Sequence, residues 1–191
     1  MSFEHSVKIP IERVGVLVGR GGDVKKDIEE QCGVQINVNS KEGEITIRGI
    51  GDLSKMEPFR AVELVNAIAK GFSPQRASRL LREEDCTLGI VDLREYSGRS
   101  KSTLDRIKGR IIGLKGKARR TVEELTGGRI SVYGHTVGII GTASEVEMAR
   151  DAIAMLASGK PHQNVYNGLQ KQRAKMKLER LQLWEGHPIG Q

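Results

Sequence analysis

The sequence predicts an α+β protein made of two copies of one small module, with a connecting helix between them and a basic helical tail. Three observations predict it: a gap-free internal repeat, apolar spacing that switches between helix and strand periods within each copy, and positive charge confined to the second half. Set above "IGLKGKARRTVEELTGGRISV" (Ile112–Val132), the stretch "VGRGGDVKKDIEEQCGVQINV" (Val18–Val38) aligns residue for residue. Each copy gives an apolar residue, Gly, two residues, Gly, a basic amphipathic helix, a glycine stop and an alternating strand.

The elements follow in the same order in both halves. "HSVKIP" and "LGIVDL" supply an opening strand, and a short helix runs from each into its glycine loop. After the loops, Val24 and Ile28 in the first copy, and Ala118, Val122 and Leu125 in the second, share one face at helical spacing. Gly33 and Gly127 stand where a helix ends on a left-handed residue. Ile36 with Val38, and Ile130 with Val132, then alternate with polar neighbours as strands do. The turns "NSKEGE" and "YGHT" lead to the strands "EITIRG" and "VGIIG". Long helices are expected over Lys55–Lys70 and Glu145–Ala157, the latter with Ser144 as N-cap and Glu147 completing a capping box. In "GFSPQRASRLLREED", Ser73 as N-cap and Pro74 at the first helical position start a helix that turns Ala77, Leu80 and Leu81 inward. The tail from Gly159 to Trp184 is expected to be helical and carries Lys171, Arg173, Lys175, Lys177 and Arg180. The predicted layout is a first module over residues 1–72, a connecting helix over 73–85, a second module over 86–159 and the basic tail over 160–191.

Composition fits a soluble globular chain, with 38% apolar and 29% charged residues among 191 and no apolar run approaching a membrane span. The start "MSFEHSVKIP" has no secretory pattern, so a cytoplasmic location is expected. Cys32 and Cys86 match no metal-ligand spacing and are expected to stay reduced. The net charge of +7 calls for an acidic partner. It is unevenly spread: residues 1–73 sum to −1, residues 89–159 to +4 and residues 160–191 to +4. From Arg99 to Arg120 there are nine basic residues against the single acid Asp105.

A Gly-x-x-Gly turn between two helices lets a ligand approach the backbone and presents amide N–H groups at the start of the second helix, a place suited to phosphate. Other glycine-loop chemistries fail on spacing. A nucleotide P-loop needs Gly where Ile111 stands and Ser or Thr where Ala118 stands, and a dinucleotide fingerprint needs a third glycine where Val24 follows Gly21. In this element order the paired loops resemble the KH domain, whose GXXG loop clamps the backbone of about four nucleotides. The resemblance implies two tandem type I KH domains (β-α-α-β-β-α) and a set of RNA-binding residues. In the second copy these are Lys108, Arg110, Ile112, Gly113, Leu114, Lys115, Gly116, Lys117, Arg119 and Arg120; in the first, Gly19, Arg20, Gly21, Gly22 and Lys25. Candidates for contact with bases are Ile107, Ile111, Ile112, Ile130 and Val132. Aromatic residues make up only 4% of the chain, too few for a stacking platform. The second copy is expected to dominate affinity and salt dependence, because Asp23, Asp27, Glu29 and Glu30 offset the cations of the first.

Three longer stretches, "GFSPQRASRLL", "IVDLREYSG" and "RIKGRIIGLKGKARRTVEELTG", resemble the small-subunit ribosome assembly factor of archaea and eukaryotes that partners the D-site endonuclease. The likeness spans residues 5–160, and the short N-terminus suits an archaeal form. It implies a noncatalytic protein that binds single-stranded RNA near the 3′ end of small-subunit ribosomal RNA, with the endonuclease or another assembly or translation factor as protein partner. The eukaryotic first repeat has a degraded loop, whereas Gly19-Arg20-Gly21-Gly22 is intact here. A KH scaffold for protein interaction and an adaptor in translation are the alternative readings. An enzyme is not expected: His5, His135, His162 and His187 are scattered, no catalytic or metal-binding set is evident, and no cofactor or membrane role is called for.

Overall fold

The computed structural model describes residues 3–50 and 57–185. The first repeat runs β1 (Glu4–Lys8), α1 (Ile11–Val18), α2 (Asp23–Cys32), β2 (Val34–Asn39), β3 (Glu44–Gly49) and α3 (Pro58–Ala69). Two short helices follow, α4 (Pro74–Ala77) and α5 (Arg79–Arg82). The second repeat runs β4 (Cys86–Asp92), α6 (Arg94–Ser97), α7 (Lys101–Ile112), α8 (Lys117–Thr126), β5 (Arg129–Tyr133), β6 (Thr136–Thr142) and α9 (Ala143–Ala157), and the tail is α10 (His162–Glu185). The order is the one the periodicities predict. Each repeat contributes a three-stranded antiparallel sheet in which the last strand lies in the middle, in the orders β1-β3-β2 and β4-β6-β5.

Period-two alternation sets the register. Ile36 opposes Ile47 and Val38 opposes Ile45 across the first sheet, and Ile130 opposes Ile139 across the second. Ile36, Ile45, Ile47, Ile130 and Ile139 are wholly buried, so a slip of one residue would turn these apolar sets outward.

The chain forms two compact units, one of Met1–Asp92 with Arg129–Ala143, the other of Leu93–Gly128 with Ser144–Gln191. In the first unit, the core of the first repeat (Leu17, Ile36, Ile45, Ile47, Ile68) continues through Phe72, Ala77 and Leu80 to Cys86 and Ile140 of the second sheet. A Cβ on Gly138 of β6 would stand 2.8 Å from Phe72 Cε2, so that strand needs a residue without a side chain there. In the second unit, Ile107, Ile111, Val122, Ile153 and Leu156 are buried, as are Val165 and Leu169 from the first half of α10.

Two arginines tie off helix ends in the same way. Arg13 of α1 donates from Nε to the Ile68 carbonyl at 2.8 Å and from Nη2 to that of Phe72 at 2.5 Å. In the second unit Arg110 of α7 donates from Nε to the Leu156 carbonyl at 3.0 Å and from Nη2 to that of Lys160 at 2.6 Å. Each guanidinium thus joins the last turn of a helix, whose Ile68 or Leu156 carbonyl also accepts the N–H of Gly71 or Gly159, to the segment that follows it.

Two expectations shift. The connector is two short helices and not one, broken at Ser78, although Ser73 Oγ does accept the Arg76 N–H at 3.4 Å and Ala77 and Leu80 are buried as predicted. Helix α9 begins at Ala143, which puts Ser144 inside the first turn instead of at the N-cap. The expected start of α3 at Lys55 and the side chains of Arg180 and Trp184 lie outside the described residues. Among the described residues, no helix is long and apolar enough to cross a membrane.

Candidate nucleic-acid interface

The two glycine loops share one backbone. Gly19 has φ 75° and ψ −176°, and Gly113 has φ 71° and ψ 176°. Both donate a hydrogen bond to the preceding helix, Gly19 N–H to Gly15 O at 3.0 Å and Gly113 N–H to Gly109 O at 2.8 Å. A single 3₁₀ turn follows, Arg20–Gly22 or Leu114–Gly116, whose third residue has φ 86° (Gly22) or 76° (Gly116).

The two glycines of each motif do different work. A Cβ on Gly113 would stand 2.6 Å from Ala118 Cβ and 2.8 Å from Ala118 N, and one on Gly19 would meet Val24 N at 2.9 Å. The first glycine is therefore required by the close approach of the next helix. Around Gly22 there is open space, and around Gly116 the nearest atoms are Arg120 Nη1 at 3.5 Å and Arg119 Nη2 at 3.9 Å. The second glycine faces outward, and in the second repeat two guanidiniums gather beside it.

The middle of the turn also differs. Gly21 has φ 60°, whereas its counterpart Lys115 has φ 50° and is the one non-glycine residue with positive φ among those described. A left-handed side chain costs roughly 1–2 kcal/mol, so the second loop holds a lysine where glycine would be easier. Leu114 beside it is 84% exposed. Lys115 and Lys117 are exposed, and none of Lys115, Lys117, Arg119 and Arg120 is paired with a carboxylate among the described residues. The Nε of Arg119 is buried without a hydrogen-bond partner. Four cations thus crowd the start of α8, where backbone N–H groups already favour an anion.

Several expected contacts have other tasks. Arg110 is held on the Leu156 and Lys160 carbonyls. Lys108 lies 3.4 Å from Asp105. Ile107, Ile111 and Ile130 are 3%, 1% and 0% exposed, so they belong to the core and only the half-buried Ile112 and Val132 remain accessible. In the first repeat Arg20 and Gly21 are exposed, but Lys25 Nζ lies 3.6 Å from Glu29 Oε1, and that carboxylate accepts the Ile36 N–H of β2 at 2.7 Å. Asp23 Oδ1 accepts the Val24 N–H at 2.7 Å. Neither the arginine ties nor the seating of Asp23 was expected from sequence. The second tie was hidden because a basic run beside a glycine loop reads as phosphate contact throughout.

The tail packs by its first half, with Arg173 Nη1 donating to the Glu124 carbonyl of α8 at 3.2 Å. From Gln170 to Glu179 its side chains are exposed. No group of three or more His, Cys, Asp or Glu able to hold a metal occurs among the described residues.

A duplicated β-α-α-β-β-α unit with a glycine-bounded 3₁₀ turn between its first two helices defines a tandem KH protein. The KH domain family matches residues 4–55, and the eukaryotic type KH-domain (KH-domain type I) matches residues 87–174. A KH domain-containing protein of Methanocaldococcus jannaschii is 41% identical over 181 residues, 94% of this chain and 78% of the relative. The pre-rRNA-processing protein PNO1 of Chaetomium thermophilum is 32% identical over 152 residues, 78% of this chain and 58% of its own. Among solved structures, the a/eIF2alpha-aDim2p-rRNA complex of Pyrococcus horikoshii contains a chain that superposes with a TM-score of 0.84 at 40% identity, covering 92% of this chain and 96% of that one. The chain belongs to the Dim2/PNO1 family of tandem KH proteins.

Proposed function

We propose that this protein binds single-stranded RNA from the 3′ region of small-subunit ribosomal RNA, with the second GXXG loop as its principal site, and that it acts as a noncatalytic cytoplasmic factor in the maturation of that RNA. The observation that carries the site is the pair of guanidiniums of Arg119 and Arg120 beside the open side of Gly116, flanked in the chain by the exposed Lys115 and Lys117 and with no carboxylate paired to any of the four among the described residues. Support for the substrate comes from relatives: PNO1 proteins are named for pre-rRNA processing, and the Pyrococcus relative was solved with rRNA. Gly113 shapes the loop, Gly116 opens it, the four cations hold phosphates, and Leu114 with Ile112 supplies apolar contact. Arg110 and Lys108 support the helix instead. Four phosphate contacts correspond to a salt slope of about −2.8, at −0.7 per contact for a single strand.

A second reading, docking of a protein partner, is compatible with the first. The Pyrococcus relative is bound to a/eIF2alpha as well as rRNA, and the first repeat here exposes Phe59 (74%), packed edge-on against Phe3 at 5.3 Å, together with Ile11 (61%). A translation factor or the D-site endonuclease is the partner this reading names, on a layout of modules over 1–72 and 86–159.

The test is binding to short RNAs, one of them from the rRNA 3′ end, at several salt concentrations. Leu114→Asp with Lys115→Asp is compared with Arg20→Asp with Gly21→Asp. The second-loop variant is expected to lose binding while staying folded. Equal retention by both variants would remove the GXXG loop as the mechanism.

A further inference from the structure

In the first loop the place an anion would take is already occupied from within. Its backbone is that of the second loop, Gly19, Gly21 and Gly22 repeating the torsions of Gly113, Lys115 and Gly116. Competence to cradle a phosphate therefore does not distinguish the two. Among the side chains that differ between them, the one that opens the following helix reverses the charge there, Asp23 in α2 and Lys117 in α8. The Asp23 carboxylate accepts the Val24 N–H at 2.7 Å, and its Oδ1 lies 1.9 Å from where a Cβ on Gly19 would stand. It is thus folded against the loop's first glycine and onto a backbone donor of the first helical turn, one of the N–H groups that a helix N-terminus offers to an anion. Its charge repels a second anion at that distance. Of the cations near the loop, Lys25 is turned away to Glu29 at 3.6 Å.

We propose that Asp23 is a built-in stand-in for phosphate that keeps the first GXXG loop from taking a nucleic-acid backbone, so that one residue decides which of two equivalent loops is used. This rests on the second loop being the RNA site, since an empty second loop would leave nothing to select. The sharpest consequence is a gain of binding. The full chain holds one short RNA; Asp23→Lys, which restores the charge found at Lys117, holds two. Asp23→Asn retains an oxygen for the Val24 N–H but removes the charge, and it gives weaker but measurable second-site binding.

The experiment is native mass spectrometry and tight-binding titration with an eight-nucleotide single-stranded RNA, using wild type, Asp23→Asn, Asp23→Lys and Asp27→Lys, with circular dichroism to check folding. Asp27→Lys makes the same charge change one turn along on the exposed face of α2, and it leaves the count at one RNA per chain. Adding Asp23→Lys to Leu114→Asp/Lys115→Asp brings back one bound RNA, at least tenfold tighter than the parent variant binds. Two RNAs on wild type, a count of one on folded Asp23→Lys, or equal behaviour of Asp23→Lys and Asp27→Lys would overturn the assignment. Failure of the second-loop reading would be recognised separately, as wild-type affinity retained by Leu114→Asp/Lys115→Asp.

Discussion

Replacing Lys115 by glycine separates what the second loop costs the fold from what it gives the ligand. Lys115 sits at φ 50° and ψ 30°, a conformation its counterpart Gly21 adopts at φ 60° and ψ 16°. Relief of the left-handed side chain is worth roughly 1–2 kcal/mol. The greater freedom of glycine in the unfolded chain takes back about 0.4–1 kcal/mol. Lys115→Gly is therefore expected to raise stability by up to about 1.6 kcal/mol. Its effect on RNA has the opposite sign. Loss of one phosphate contact lowers the salt slope by about 0.7, which at 0.1 M salt corresponds to roughly fivefold weaker binding. Urea denaturation gives the first quantity, and RNA titrations from 0.05 to 0.3 M salt give the second. A variant that is less stable than wild type would refute the strain, and an unchanged salt slope would refute the phosphate contact.

The two glycines of the second motif should fail differently: Gly113→Ala drives a Cβ to 2.6 Å from Ala118 Cβ and should cost about 2–4 kcal/mol in denaturation, whereas Gly116→Ala should cost about 1 kcal/mol yet weaken RNA binding. Arg110→Ala removes the bonds to the Leu156 and Lys160 carbonyls, so stability should fall by about 1–3 kcal/mol with the RNA salt slope unchanged; a slope reduced by about 0.7 would instead return Arg110 to the phosphate contacts. Burial, helped by the Glu57 carboxylate, pushes the Cys32 thiol from its ordinary 9.0 up to about 11. In the unfolded chain that thiol ionises from about pH 9 while in the fold it does not. The thiol's contribution is therefore nil below pH 9 and should lower stability by about 2–3 kcal/mol between pH 9 and 11, so that Cys32→Ala makes the decline in pH-resolved denaturation shallower by that amount.

The fold was legible because its signals are local and doubled. Gly33 and Gly127 end their helices in the left-handed conformation that the sequence predicts, and the alternation at Ile36 and Ile130 gives the strand faces directly. The site was legible only as far as loop and charge. A basic residue next to a glycine loop looks the same in sequence whether it gathers at the outward glycine, as Arg119 and Arg120 do, or ties a helix end, as Arg110 does, because that choice depends on a partner some fifty residues away. The apolar candidates failed for a related reason: Ile107, Ile111 and Ile130 have the hydrophobicity a base would accept, and the core took them first. Asp23 read as a mere charge offset, since nothing in its spacing shows that its carboxylate folds back on Gly19 and Val24.

The core that runs from the first repeat through Leu80 to Cys86 and Ile140 sets a timetable for synthesis. Ile140 leaves the ribosome 54 residues after Cys86, a delay of roughly 3–11 s at 5–20 residues per second. Through that interval Phe72, Ala77 and Leu80 wait for the middle strand of a sheet that does not yet exist. The first repeat thus emerges with one apolar flank uncovered, a surface on which a chaperone can act and from which a nascent chain can aggregate. Genes truncated after residue 85 would make this transient state permanent.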